Sequence, residues 1–468
     1  MEIKINPKAE QTDTIIFLRT KEQAEKENMK DFKGKDFELH WYYDTDSRKF
    51  FVGLGEEEKV TKEKIRKAVY TALEKIQKIQ LTSLTVEIPK TKINEKDSAV
   101  AITESIILGD YSFEKYKTDK EKLNKKIEKL CLIGSKELQE ELLQTQTICN
   151  NTLFARDLAN EQADIATPSW IARKSKEIAM QTGLRCTVLD EEDLKELKLG
   201  LILGVGKGSI NPPRLIILEH IGDPKSKEKI VLVGKGITYD TGGLYVKTTW
   251  MEEMKIDMHG AATAFATVKT CAELNIKKNI TAVLTCAENS VGPNSYRNGD
   301  ILTSYSGKTV EIRHTDAEGR LVLADAMEYA EDKLNPSLII SMATLTGACI
   351  RALSDFVAGI MSNEEDKVKQ LIKSGEETYE LLWQLPLFEE YMEDLKSEIA
   401  DIPNLATKHR DYAGAQHAAM FLKSFIKKVP YIHLDIAGPT INTSRRFYIS
   451  QGGTGYGVRL LIDFLKSD

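Results

Sequence analysis

The sequence predicts an α/β protein in which a small N-terminal α/β domain is joined by a long helix to a larger C-terminal α/β domain with a central, mostly parallel sheet. Three observations carry this. Short apolar runs alternate with helical stretches along the whole chain. From Ser135 to Asn160 the pattern SKELQEELLQTQTICNNTLFARDLAN contains neither Pro nor Gly, as an inter-domain helix requires. Beyond it, strong apolar runs recur between helical segments, the alternation that a doubly covered parallel sheet produces. The predicted parts are residues 1–134, 135–160 and 161–468.

In the first part, apolar runs at Thr14 to Leu18, Lys49 to Gly53, Leu84 to Ile88 and Ala99 to Ile102 are separated by polar helical stretches such as Thr61 to Ile79. Its acids and lysines fall at helix-surface spacing and read as solvated faces. GLRCTVLD opens the larger part, whose apolar runs are Arg214 to Leu218, Ile230 to Val233, Thr281 to Thr285, Leu338 to Met342 and Ile432 to Ile436. Four of these lead into loops of unusual chemistry: GKGITYDTGG, CAENSVGPN, ATLTGA and AGP. In a parallel sheet such loops collect at the carboxyl edge, where ligands bind.

Composition narrows the function. With 41% hydrophobic and 29% charged residues in 468, the chain has material for a large core and two or three domains. Lys+Arg 65 against Asp+Glu 71 gives a net charge of −6, which argues against a nucleic acid or an anionic membrane as partner of the whole molecule. The opening MEIKINPKAEQ lacks the apolar core of a signal peptide, and no run approaches the ~18 apolar residues of a spanning helix, so a cytoplasmic location without a membrane partner is expected. Six cysteines without a CxxC spacing read as reduced, buried thiols. No HExxH pair is present, which leaves carboxylates as the ligands of any metal.

The carboxylates with chemistry lie in three segments. Lys235 and Asp240 are flanked by Gly234, Gly236, Gly242 and Gly243, which permit a tight loop. MEEMKIDMHGAATAFATVKTCAEL reads as a helix with Met251, Met254 and Met258 near its inner side and Asp257 among them, and a carboxylate on an apolar stripe must be paired, protonated or metal-bound. In HTDAEGRLVLADAMEYA, Asp316, Glu318 and Arg320 precede an amphipathic helix; capping needs one acid, not two and an arginine. Gathered at one edge with Lys247, these acids would repel unless divalent cations neutralised them, and a metal pair sharing carboxylates is equipment for hydrolysis. Nucleotide motifs fail: SGKT at Ser306 to Thr309 has Leu302 where a phosphate loop needs glycine, and LGVGKGS around Gly204, Gly206 and Gly208 runs into Pro212 and Pro213 instead of a helix.

The segments VGKGITYDTGG, DMHGAA and TDAEGRLVLADA, in that order, resemble the leucine aminopeptidase (cytosol aminopeptidase) family of two-metal exopeptidases. LGVGKGSINPPRLIILEH, GDILTSYSGKTVEI, LPLFEEY, AAMFLK, HLDIAG and GGTGYGVRLL extend the likeness from about Phe154 to the end, with a looser match around FFVGLG. The resemblance implies a catalytic C-terminal domain in which Lys235 and Asp257 ligate a tighter metal, Asp316 an exchangeable one, and Asp240 and Glu318 bridge both. The metals would be Zn2+ or Mn2+, with Mg2+ or Co2+ as further occupants of the exchangeable site. Lys247 would stabilise the oxyanion, and Arg320 would hold a bicarbonate ion that serves as base. Met254, Thr344, Leu345, Gly347 and Ala437 would bind the substrate's first residue and backbone, favouring Leu and Met with little discrimination. Substrates would be peptides with a free N-terminus, and the assembly a homohexamer.

Three features depart from the family pattern. His314 stands where asparagine is usual, facing the substrate pocket; His259 replaces a small residue, in a packing or supporting role; and the stretch from Lys247 to Asp257 is one residue shorter. Two other functions compete with an aminopeptidase. One is a relative that binds DNA or regulates transcription, which predicts lost ligands and a basic groove. The other is a related dipeptidase such as a Cys-Gly hydrolase.

Overall fold

The computed structural model describes residues 1–468 apart from Gln11, Thr45, Asp46, Lys120, Lys122 and Asp468. Two compact units are present. The first comprises Met1–Leu153 with Thr443–Gln451, and the second Phe154–Asn442 with Gly452–Asp468. The division falls inside the long helix, which runs over Gln139–Asn160 after a short 3-10 turn at Lys136–Leu138. Among the described residues no helix is long and apolar enough to cross a membrane.

In the first unit, β1 (Glu2–Asn6), β2 (Thr14–Arg19), β3 (Leu39–Tyr43), β4 (Arg48–Gly53), β5 (Ser83–Glu87) and β6 (Lys129–Ile133) form one sheet in the order β1-β6-β5-β2-β4-β3. All neighbours are parallel except β3 and β4. Helix Lys62–Lys78 buries Ile65, Val69, Ala72, Leu73 and Ile76 at helical spacing, and its N-cap Thr61 accepts a hydrogen bond from the Lys64 amide. The apolar run Ala99 to Ile102 is not a strand. It lies within helix Glu95–Gly109, whose N-cap Asn94 accepts from the Asp97 amide; a four-residue apolar run fits a buried helix as well as a strand.

In the second unit, β7 (Arg185–Leu189), β8 (Arg214–Ile221), β9 (Lys229–Asp240) and β10 (Asn279–Asn289) come first in the chain. A small sheet follows from β11 (Ile301–Thr303) and β12 (Thr309–Glu311), then β13 (Leu338–Ala343), β14 (Ala358–Met361), β15 (Leu382–Gln384), β16 (Ile402–Pro403) and β17 (Tyr431–Asp435). The large sheet has the order β15-β14-β17-β13-β9-β10-β8-β7. Its centre, β17-β13-β9-β10, is parallel, while β8, β7 and β14 join antiparallel. Helix His259–Glu273 and helix Gly319–Leu334 both pack on the central strands β9, β10 and β13, as a covered parallel sheet requires. The core holds Val231, Val233, Val283, Leu321, Leu323, Ala324 and Ile339. Because β9, β10, β13 and β17 are parallel, Asp240, Asn289, Ala343 and Asp435 all end at one edge. In the small sheet β12 pairs with β16.

Candidate active site

GKGITYD is strand, not loop. β9 continues through it because β10 pairs with it up to Asp240↔Asn289 across a bulge between Ala287 and Glu288. Lys235 and Asp240 are thereby fixed on rigid backbone at the carboxyl end of the sheet, and the turn begins only at Thr241. Gly242 turns it at φ +86°; a Cβ there would stand 2.3 Å from the Tyr245 carbonyl oxygen. Beyond the turn, Met251–Ile256 is a 3-10 turn and the helix proper starts at His259, so Asp257 sits at the junction of the two. Asp316 and Glu318 lie just before helix Gly319–Leu334.

These segments bring all five proposed ligands and Lys247 together. Lys235 Nζ lies 2.7 Å from Asp257 Oδ2 and 2.9 Å from Glu318 Oε1, and donates to the Thr344 carbonyl at 3.0 Å. Lys247 Nζ lies 2.8 Å from Asp240 Oδ2 and 2.5 Å from Asp316 Oδ1, so the shortened stretch still lets it reach the cluster. Ligand oxygens of Asp240, Asp316 and Glu318 lie within 4.8 Å of one another. Asp240 Oδ1 accepts from the Gly242 amide and from Asn289 Nδ2, both at 2.8 Å, and Asp257 Oδ1 accepts from the Thr344 hydroxyl at 2.6 Å.

Four carboxylates against two ammonium groups leave two negative charges uncompensated in a site where Lys235, Asp240, Asp257 and Glu318 are buried. Burial, helped by the neighbouring carboxylates and opposed by Lys235 and Lys247, pushes the carboxyls of Asp240, Asp257 and Asp316 up. Glu318 is also opposed by burial, but Lys235 and Lys247 outweigh it and bring its carboxyl down. Glu318 Oε2 is buried without a hydrogen-bond partner. An unpaired buried carboxylate oxygen beside two more acids, with excess negative charge, is the donor set a hard or borderline divalent cation needs.

The pocket residues are held by a partner the sequence did not advertise. Asp435, ending β17, accepts from the amides of Leu345, Thr346 and Ala437 at 3.3 to 3.4 Å and from the Thr346 hydroxyl at 2.6 Å. It therefore ties the loops carrying Thr344, Leu345 and Ala437. Burial pushes its carboxyl up to about 6. Gly347 begins helix Gly347–Leu353, and Met254 lies in the 3-10 turn whose carbonyl accepts from the Asp257 amide. Asn289 likewise binds both Asp240 and the Thr315 carbonyl, and the Thr315 hydroxyl donates to the Gly242 carbonyl. Polar residues inside apolar strands were the available signal for Asp435 and Asn289.

Arg320 is buried, and burial brings its guanidinium down to about 10; its Nη1 donates to the Asn404 carbonyl at 2.9 Å. His314 packs against Tyr245 with ring centroids 3.9 Å apart and the rings tilted by 47°, and its Nδ1 accepts from the Asp316 amide. His259 is fully buried with neither ring nitrogen hydrogen-bonded, and burial brings it down to about 3, so it is a neutral packing residue.

Comparisons with known proteins place the chain in a family. The cytosol aminopeptidase family model for the catalytic domain matches residues 153–462, and that for the N-terminal domain matches residues 4–120. The chain belongs to the cytosol aminopeptidase family. A probable cytosol aminopeptidase of Protochlamydia amoebophila is 40% identical over 94% of this chain and 89% of the relative, and one of Clostridium perfringens is 38% identical over 98% and 93%. Among solved structures, the bottromycin maturation enzyme BotP superposes with a TM-score of 0.88 at 28% identity, covering 97% of this chain and 99% of that one. Its complex with Mn gives 0.89 with the same identity and coverage. As a family member the chain is a metal-dependent aminopeptidase, a hydrolase of peptide substrates.

Proposed function

We propose that the chain removes N-terminal amino acids, chiefly Leu, Met and other apolar residues, from peptides by a two-metal mechanism, working in the cytoplasm as a homohexamer. The observation that carries this is the cluster of Asp240, Asp257, Asp316 and Glu318, whose charge Lys235 and Lys247 only half compensate. Lys235 and Asp257 would hold the tighter ion, Asp316 the exchangeable one, and Asp240 and Glu318 would bridge. Bound divalent ions supply Lewis acidity and lower the pKa of water. Zn2+ and Mn2+ are the first candidates, with Mg2+ or Co2+ at the exchangeable position; the manganese complex of BotP makes Mn2+ the first probe.

The chain's own groups divide the remaining work. Burial would depress the Lys247 ammonium, but Asp240, Glu318 and Asp316 outweigh it and hold the proton on Nζ. It can therefore donate to an oxyanion as charge develops there. Lys235 must instead lose its proton to become a ligand, which requires cations to take over its ion pairs with Asp257 and Glu318. Arg320 presents a cation for bicarbonate. Thr344, Leu345 and Ala437, drawn together by Asp435, would receive the first residue, with Met254 and Gly347 completing the pocket. A free α-amine can approach the carboxylate-lined end near Asp257, and an internal peptide bond offers none.

Cleavage of leucyl-4-nitroanilide after chelation and re-addition of Mn2+, Zn2+ or Co2+ tests the proposal. Restored activity is expected; its absence with every aminoacyl substrate overturns the two-metal scheme. Light scattering is expected to return six times the chain mass, and profiling with Cys-Gly separates a dedicated dipeptidase.

A further inference from the structure

The segment that crosses from Asp394 to Gly414 delivers one side chain, Asn404, into the loop bearing the acids. β16 pairs with β12 so that Pro403 stands opposite Glu311, and the next residue, Asn404, donates its amide to the Glu311 carbonyl at 2.9 Å. Asn404 is completely buried. Its Oδ1 accepts from the amides of Arg313 at 2.8 Å and His314 at 3.2 Å, and its Nδ2 donates to the carbonyls of His314 at 2.7 Å and Ala317 at 3.3 Å. Its own carbonyl accepts from Arg320 Nη1 at 2.9 Å. Every polar atom of this residue is thus engaged with the stretch from Glu311 to Arg320, which carries Asp316, Glu318 and Arg320.

The segment is itself pinned. The Thr407 amide donates to the Asp394 carbonyl at 2.8 Å, while His409 Nδ1 and His417 Nε2 each lie 3.0 Å from an Asp394 carboxylate oxygen. Arg320 gains little comparable support elsewhere, since its Nε is buried without a hydrogen-bond partner. A guanidinium held through one nitrogen takes its direction from that acceptor, and the acceptor's direction here is fixed by the side-chain amide of the same residue.

We infer that Asn404 is a positioning residue for the reaction, acting through Arg320: its side chain clamps the loop from Arg313 to Ala317 and thereby aims the carbonyl that orients the guanidinium. This deepens the aminopeptidase reading and rests on it. It also separates Asn404 from an ordinary turn-stabilising asparagine, whose loss would lower stability but would act independently of Arg320.

The test is a double-mutant cycle in the full-length chain loaded with Mn2+. Asn404→Ala is expected to lower kcat on leucyl-4-nitroanilide by about tenfold to a hundredfold with KM within about threefold. In an Arg320→Ala background the same change should cost less than about twofold. An equal loss in both backgrounds, or a kcat within about threefold of the parent, overturns the inference. Hydrogen exchange on the metal-free chain gives a second readout: amides of Arg313 and His314 should exchange at least about tenfold faster in the variant, and unchanged protection also overturns it. That measurement tests the clamp itself even for a parent inactive on every aminoacyl substrate, an outcome that would sink the aminopeptidase scheme, while the double-mutant cycle tests its action through Arg320. Should Asn404→Ala not fold, Asn404→Asp keeps the volume and the Oδ1 acceptor but sets oxygen against the carbonyls of His314 and Ala317, and is read in the same way.

Discussion

Lys247 and Lys235 are both ammonium groups paired with two acids, yet the proposed scheme keeps only one of them charged when cations enter. Lys235 is buried between Asp257 and Glu318, whereas the Lys247 side chain keeps 19% exposure. The division predicts different phenotypes. Lys247→Ala should lower kcat by about a hundredfold to a thousandfold, as the loss of a proposed oxyanion donor would, and Arg320→Ala should lower it too, both with metal content near that of the parent. Asp257→Ala and Glu318→Ala should emerge from dialysis against Mn2+ with metal lost, measured by atomic absorption. Four variants behaving alike would refute the separation of roles. Gly319 is a quieter member of the same site. A Cβ there would stand 2.5 Å from Lys235 Cε and 2.7 Å from its Nζ, so Gly319→Ala must displace the lysine. Its Mn2+ affinity in a calorimetric titration should fall by about tenfold or more, costing ~1.4 kcal/mol or more. Undiminished affinity would show that Lys235 is not a ligand.

At the scale of elements, the stability of the site's scaffold depends on one buried carboxylate. Asp325, on helix Gly319–Leu334, accepts from the amides of Leu201 at 2.8 Å and Ile202 at 3.0 Å through Oδ2, and from Tyr305 at 2.9 Å through Oδ1. It caps the short helix Gly200–Gly206, which has no N-cap side chain of its own, and ties it to the helix that begins at Gly319. Asp325→Ala would orphan two buried N–H groups and one half-buried one, at ~1 to 3 kcal/mol for each buried group before relaxation. The urea midpoint should drop accordingly, and an unchanged midpoint would mean that solvent takes over all three donors. Such latches explain what the sequence did and did not reveal. Val231 to Val233 and Ile339 to Met342 were legible as strands because continuous β-branched and apolar runs suit strands covered on both faces. The acids were legible because four carboxylates close in space have few physical explanations. Asn404 and Asp325 were not, since each is recognised only through backbone amides and carbonyls distant in the chain, and Asp435 showed only as an acid ending an apolar strand, without its partners at Leu345 and Thr346. GKGITYD reads as loop in the sequence for a related reason: its glycines signal turns locally, and only the pairing with β10 holds them extended.

For the whole molecule, metal binding and folding are coupled, because the acids that repel each other are assembled only in the folded second unit. The first unit has its own core, with Ile16, Val52, Ile65, Leu73 and Leu130 fully buried, and none of the proposed ligands. Removing cations should therefore destabilise the unit that holds the cluster. Each ion present at about a hundred times its Kd adds ~2.7 kcal/mol to the state that binds it. For a domain of this size that raises Tm by several degrees, and by more when both positions fill. Scanning calorimetry of the chelated chain with increasing Mn2+ should show the transition of the second unit moving up with the logarithm of concentration and returning after chelator is added. Glu318→Ala, which removes a carboxylate proposed to bridge the ions, should blunt the shift. Because one buried acid goes and Lys235 keeps Asp257, its metal-free transition should lie close to that of the parent. A parent transition indifferent to Mn2+, Zn2+ and Co2+ alike would mean that the buried negative charge is balanced by Lys235 and Lys247 without metal, and the two-metal scheme would fall with it.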